Sequence, residues 1–209
     1  MTDSLWQQFS ADARFYRQLK RPDKPVTGIA AMTTALASKG WWMLAFHRII
    51  AFSTSRRNLK SPRWWLTRIL EIPAGYLNAV INKSEFRGDC EIPGPVYLSD
   101  RGYLMFGAKF IGTGTIIHDH VSAGYAVAKG KADRPSIGNN VWIGPNCIIA
   151  GDLHVGDGST LLPGTVLTYS VAPGSVVRGS PAQIVKKDFD NTALRQTLAM
   201  APEHLSRKS

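Results

Sequence analysis

Ser136-Ile-Gly-Asn-Asn-Val-Trp-Ile-Gly-Pro-Asn-Cys-Ile-Ile-Ala-Gly-Asp-Leu-His-Val-Gly-Asp-Gly-Ser-Thr-Leu-Leu-Pro-Gly-Thr-Val-Leu167 is the stretch that decides the fold. Ile137, Ile143, Ile149, Val155, Leu161 and Leu167 stand six residues apart. Val141, Cys147, Leu153, Ser159, Thr165 and Val171 follow each by four, and all are small or moderately apolar. Gly138, Gly144, Ala150 and Gly156 come directly after an aliphatic position. A helix repeats near 3.6 and a plain strand near 2, so six belongs to neither. It belongs to a repeat in which each hexad is a short strand and a turn, three to a triangular coil. The aliphatic residue points inward and stacks on its counterpart in the next coil, and small residues let the chain bend at the corners. The predicted fold is mainly β, a left-handed parallel β-helix.

The rhythm reaches upstream. Phe86, Ile92, Leu98 and Leu104 are six apart, with Cys90, Val96, Gly102 and Ala108 at the companion position. After a slip of one residue, Ile111, Ile117 and Ala123 resume the count, with Thr115, Val121 and Val127 four later. The phase breaks again between Gly124 and Ser136, where polar residues predict a loop over 125–135 that leaves the coil. A β-sandwich would alternate at period 2, and this chain does not. The expected division is a helical region over 1–82, the β-helix over 83–187 and a partly helical tail over 188–209. Within the first, Ser10 is expected to cap a helix holding Phe15, Tyr16 and Leu19, broken by Pro22 and Pro25. Leu36 to Phe52 and Pro62 to Val80 read as two further helices, the second interrupted at Pro73.

The chain has 209 residues and a formal net charge of +10. Residues 1–85 carry thirteen Lys or Arg against five Asp or Glu, so +8 of that charge lies there. Trp41, Trp42, Trp64 and Trp65 sit among Arg48, Arg56, Arg57, Lys60, Arg63 and Arg68. A helical cap packed on the β-helix or on a neighbouring subunit explains this composition, and so does a patch that touches the membrane surface. Basicity without a motif does not point to nucleic acid. Cys90 and Cys147 fall on companion positions and read as core residues, with neither metal-ligand spacing nor a disulfide framework. The polar start and the short apolar run Trp41–Phe52 predict a cytoplasmic protein, working at the inner face of the membrane if the patch touches lipid.

Leu44-Ala-Phe-His47-Arg48, the run Arg134 to Gly151, and the ending Gly164 to Val185 with its Gly-Ser-Pro-Ala closure resemble the hexapeptide-repeat acyltransferase superfamily. Its serine acetyltransferase-like branch is the nearer likeness. The resemblance implies acyl transfer from acetyl-coenzyme A, a homotrimer, and no metal. Such transfer needs a base for the acceptor, and histidine titrates near neutrality. Ile117-His118-Asp119-His120-Val121-Ser122-Ala123-Gly124 resembles the branch's Ile-His-Gln-Gly-Val-Thr-Ile-Gly motif. His118 and His120 are the candidate bases, with Asp119 or Asp100 holding the imidazole. His154 reads as a solvated coil residue, and His47 and His204 lie away from the motif.

The resemblance further places acyl-coenzyme A along the later coils. Gly144, Ala150 and Gly151 would flank the pantetheine arm, Trp142 would wall the site, and Arg178, Lys186 and Lys187 would meet the phosphates. Serine acetyltransferases carry a catalytic Asp-His pair where this chain reads Ser99-Asp100, and their second histidine is missing from Asp133-Arg134-Pro135. An amino-acid acceptor is therefore disfavoured, and the O-acetyltransferases of bacterial exopolysaccharide and capsule are the better analogy, with a polysaccharide or lipid-linked sugar as acceptor. Serine acetyltransferase-like action on a small acceptor, a noncatalytic β-helix scaffold and a zinc-dependent γ-type carbonic anhydrase are the competing readings.

Overall fold

Inward aliphatic side chains spaced by six are all buried when the chain winds so that each hexad lies over the one three before it. The computed structural model shows this winding and describes residues 4–55, 72–73, 75–76, 80, 84–86, 89–101, 103–125 and 134–198. The body is a left-handed parallel β-helix with three faces. Face one stacks β1 (Glu85–Phe86), β3 (Met105–Phe106), β6 (Ser122–Gly124), β9 (Ile148–Ala150) and β12 (Val166–Leu167). Face two stacks β4 (Phe110–Ile111), β7 (Ser136–Ile137) and β10 (His154–Val155). Face three stacks β2 (Tyr97–Leu98), β5 (Ile116–Ile117), β8 (Trp142–Ile143), β11 (Thr160–Leu161) and β13 (Val176–Arg178), and ends on the antiparallel β14 (Gln183–Lys186). Every inward residue of the opening stretch is fully buried, as are Ile111, Ile117 and Leu98. Cys90 and Cys147 are buried in the same core.

Two details of register differ from expectation. Leu104 is buried but is not a rung of the ladder. Phe106 pairs with Phe106's neighbours in the stack, Phe86 and Ala123, and Leu104 takes the companion position two residues earlier. The net slip of one residue is thus a turn with two extra residues after Leu98, followed by a hexad one residue short between Phe106 and Ile111. Near the end, Val171 pairs with Val155 and is itself a rung, only four residues after Leu167. The break after Gly124 is real: Ala123 and Ile137 are successive rungs, 137 − 123 = 14 residues apart instead of six. Of the loop expected over 125–135, only its ends are among the described residues.

The helices pack on the outside of face three. Helix α1 (Leu5–Lys20) starts at a capping box made by Ser4 and Gln7, so Ser4 and not Ser10 is its cap. It stops before Pro22, as expected. The reading missed α2 (Gly28–Leu36), capped by Thr27, and merged its end with α3 (Lys39–Ser55). The helix expected over Pro62–Val80 lies outside the described residues, except Ile72–Pro73, Gly75–Tyr76 and Val80, which are helical. Ala13, Tyr16, Leu19, Trp41 and Ala45 bury Tyr97, Ile116 and Trp142, the outward side chains of face three. The Tyr16 hydroxyl donates to the Leu98 carbonyl at 3.0 Å and accepts from the Leu98 N–H at 2.9 Å. Gly40 packs so close to Leu98 that a Cβ there would collide with its carbonyl. Helix α4 (Thr192–Leu198) returns the chain to the coils. Asn191 Nδ2 donates to the Asn140 and Ser159 carbonyls, and Arg195 donates to the Gly114 carbonyl.

Candidate active site at the corner between faces three and one

The corner after face three repeats in each coil. Asp119-His120, Pro145-Asn146 and Pro163-Gly164 occupy the same turn, and Asn146 and Gly164 donate their N–H groups to the Asp119 and Pro145 carbonyls below. The second turn residue has positive φ each time: 55° at His120, 58° at Asn146 and 74° at Gly164. Glycine adopts this conformation without strain, and Asn and His are among the other residues found in it most often. The hexad geometry therefore fixes the backbone and leaves the side chains of this column to do something else.

His118 opens the turn, its N–H donating to the Ile143 carbonyl at 3.0 Å. Its ring lies 4.9 Å from that of Trp142, which is itself buried beneath the helical cap. His118 is half-buried, and its Nε2 has no hydrogen-bond partner among the described residues. Asp119 Oδ1 is likewise buried and unpartnered. Burial lowers the His118 pKa below its ordinary 6.5, and the nearby Asp119 carboxylate opposes this. His118 is thus held neutral near pH 7 with a free ring nitrogen. His120 is exposed and lies against Tyr103, with ring centroids 5.1 Å apart and the planes tilted by 44°. Tyr103 escaped the sequence reading because it lies in the two-residue insertion, outside any repeat.

Asp100 occupies this corner one coil below Asp119, but it is engaged elsewhere. Its carboxylate pairs with Lys20 and accepts from the Gly40 N–H at 2.9 Å, which caps the start of α3. Tyr97 feels both carboxylates, and burial together with their charges raises its pKa. Gly144 sits one coil above His118, where a Cβ would meet the Leu161 carbonyl and the Trp142 ring. Trp142 is buried among the cap side chains and meets the site through the His118 ring.

The remaining candidates lie apart from this corner. Ala150 and Gly151 are on face one, where Ala150 stacks on Gly124 and Gly151 donates to the Gly124 carbonyl. Arg178, Lys186 and Lys187 are exposed at the last coil, with the Lys186 ammonium over the Phe189 ring. Among the described residues, no three His, Cys, Asp or Glu side chains gather as a metal site would need. His154 is exposed on face two.

Residues 134–169 match the bacterial transferase hexapeptide (six repeats) family. A chloramphenicol acetyltransferase of Agrobacterium fabrum (strain C58 / ATCC 33970) is 39% identical over 64 residues, 31% of each chain. A probable macrolide acetyltransferase of Lysinibacillus sphaericus is 36% identical over 64 residues, covering 31% of this chain and 36% of that protein. The chain thus spans about a third of the length of these relatives. Among solved structures, the soybean serine acetyltransferase apoenzyme superposes with a TM-score of 0.67 over 87% of this chain and 69% of that one, at 24% identity. The Neisseria gonorrhoeae serine acetyltransferase gives 0.68 over 93% and 69%, at 21% identity. Residues 134–169 thus match bacterial transferase hexapeptide repeats, and the chain around them shares its fold with the solved serine acetyltransferases.

Proposed function

We propose that the chain is an acetyl-coenzyme A-dependent O-acetyltransferase acting on a sugar hydroxyl of a bacterial polysaccharide or its lipid-linked precursor. The observation that carries this reading is His118 Nε2, a buried ring nitrogen with no described partner beside the unpartnered Asp119 Oδ1. Such atoms are costly to leave unmatched, and an acceptor hydroxyl satisfies the imidazole by donating to it. His118 Nε2 takes the hydroxyl proton while the oxygen attacks the thioester carbonyl. The tetrahedral adduct then collapses to the acetyl ester, and the departing coenzyme A thiolate recovers the proton from the imidazolium. Asp119 steadies the imidazolium during the step.

The exposed Tyr103–His120 ring pair supports a cyclic acceptor, because the C–H face of a pyranose packs well against an aromatic ring. The small outward residues Gly124, Ala150 and Gly151 suit an extended pantetheine arm, and Arg178, Lys186 and Lys187 suit phosphates. In this reading the enzyme is a homotrimer, and the exposed Met105 and Ile148 on face one are covered by a neighbour.

Single-turnover acetyl transfer to methyl pyranosides, with L-serine in parallel, tests the reading. His118→Ala should slow transfer by about 10²–10⁴-fold and leave coenzyme A affinity unchanged. In the wild type, the acid limb of the rate profile should fall below pH 6.5, because burial keeps the imidazole neutral there. Near-wild-type transfer in both His118→Ala and His120→Ala removes the histidine mechanism. Transfer to serine alone favours the small-molecule reading, to which the fold likeness lends weight. Coenzyme A binding without transfer to either acceptor favours the scaffold, in keeping with the engagement of Asp100 by Lys20 and Gly40.

A further inference from the structure

Helix α2 carries no charge on either side, and its polar residues are Thr33 and Thr34. Ala31 and Ala35 face the cap, which accounts for half of it. The other half faces outward: Ile29 is 83% exposed and Leu36, two turns along the same side, is 48% exposed. Val26 extends the stripe at one end at 46% exposure. Trp42 extends it at the other, 38% exposed, with its Nε1 donating to the Leu36 carbonyl at 3.0 Å. Residues 25–38 contain no charged side chain, and the exposed Lys24 and Lys39 stand at the two ends. A surface helix normally turns a polar face to water. An uncharged stripe whose large side chains are apolar, interrupted by Thr33 with its hydroxyl donating to the Ala30 carbonyl, and bracketed by lysines needs something to cover it.

We propose that the Val26–Ile29–Leu36–Trp42 stripe is a docking face for an anionic lipid surface, with Lys24 and Lys39 at the headgroup level. Charge selects this occupant. Between residues 4 and 55 the acidic residues are Asp12, which is buried, and Asp23, which is exposed beside Lys24, against the exposed cations Arg14, Arg21, Lys24 and Lys39. A twofold contact between two copies would bring together two surfaces on which exposed cations outnumber the one exposed carboxylate, Asp23. A membrane carrying anionic lipid accepts the apolar stripe and neutralises the lysines together. Tryptophan suits the boundary between the two. No described helix is long and apolar enough to cross a membrane, so α2 lies along the surface. This inference stands whatever the acceptor proves to be.

The test is co-sedimentation of the full chain with phosphatidylcholine vesicles and with vesicles containing phosphatidylglycerol, using Trp fluorescence as a second signal. Wild type should bind the anionic vesicles and bind the neutral ones weakly. Ile29→Glu with Leu36→Glu should weaken anionic binding by about 10-fold or more, given the apolar area withdrawn from lipid. Lys24→Glu with Lys39→Glu should do the same and remove the dependence on salt. These side chains project outward, so unchanged circular dichroism and thermal melting confirm that the variants remain folded. Equal binding by wild type and both variants overturns the proposal, since the attraction then lies in other basic segments. No binding to anionic vesicles also overturns it, as does a concentration-dependent mass increase that Ile29→Glu abolishes, which identifies self-association.

Discussion

Replacing Arg48 by leucine should cost more stability the higher the pH, and the structure sets the slope. Arg48 lies buried between the cap and the first coil. Its Nε and Nη2 donate to the two Asp12 carboxylate oxygens at 3.2 Å each. It also donates to the Ile92 carbonyl and, at 2.7 Å, to the Gly94 carbonyl. Burial outweighs the guanidinium and raises the Asp12 pKa from 3.8 to about 6. Between those values the folded chain keeps a proton that the unfolded chain has lost. Stability from this group is therefore full below pH 3.8, falls by ~1.4 kcal/mol per pH unit up to about 6, and then levels off.

Without Arg48 the carboxyl loses its counter-charge and its folded pKa climbs further. The decline then continues above pH 6, so the gap between variant and wild type should widen by ~1.4 kcal/mol per pH unit toward pH 8. Beneath that lies a pH-independent loss of about 1–3 kcal/mol for each carbonyl left unpaired. Urea unfolding at pH 6, 7 and 8, at one protein concentration and followed by Trp fluorescence, measures the gap. Adding Asp12→Asn should abolish the widening while leaving the constant part. Parallel stability curves for Arg48→Leu and wild type above pH 6 would refute the reasoning.

Ile143→Ala removes a fully buried rung between Ile117 and Leu161 and should cost about 2–5 kcal/mol in urea unfolding; a loss below 1 kcal/mol would mean that the coils collapse freely onto the gap. His120→Gly should raise stability by about 1 kcal/mol, because glycine adopts φ near 55° without strain, while acceptor turnover falls through the loss of the ring paired with Tyr103. A destabilised His120→Gly variant in thermal melting would show that the corner carries no backbone strain.

The β-helix was legible because its core demands the same residue class at a fixed interval, and that interval survives in one sequence. Where the interval changes, legibility fails in a physical way. Leu104 and Phe106 are both large and buried, so apolarity alone cannot tell a companion from a rung; pairing with Phe86 and Ala123 decides it. Val171 was hidden because a valine four residues after Leu167 fits the companion position as well as a rung. Helix α2 was missed because its nine residues are uncharged, with large apolar side chains facing outward as well, and lack the one-sided pattern that marks a surface helix. At the site, His118-Asp119-His120 stood out by residue type, but which histidine is sheltered depends on Trp142, one coil away. Asp100 looked free in sequence; its engagement with Lys20 and Gly40 spans eighty and sixty residues of chain.

The cap and the candidate site are physically one construction. Face three would otherwise present Tyr97, Ile116 and Trp142 to water, and the helices bury all three. Trp142 is the side chain against which His118 rests, so the desolvation that keeps the imidazole neutral is supplied in part by a residue the cap holds in place. Asp100, one coil below Asp119, has its charge balanced by Lys20 and its oxygen occupied by the start of α3. The cap thereby removes one carboxylate from the corner and leaves Asp119 as the unpartnered one beside His118. A bare β-helix with the same hexads would have the same turn, yet its histidine would be solvated and flanked by two free carboxylates, both of which favour the protonated, non-basic imidazolium.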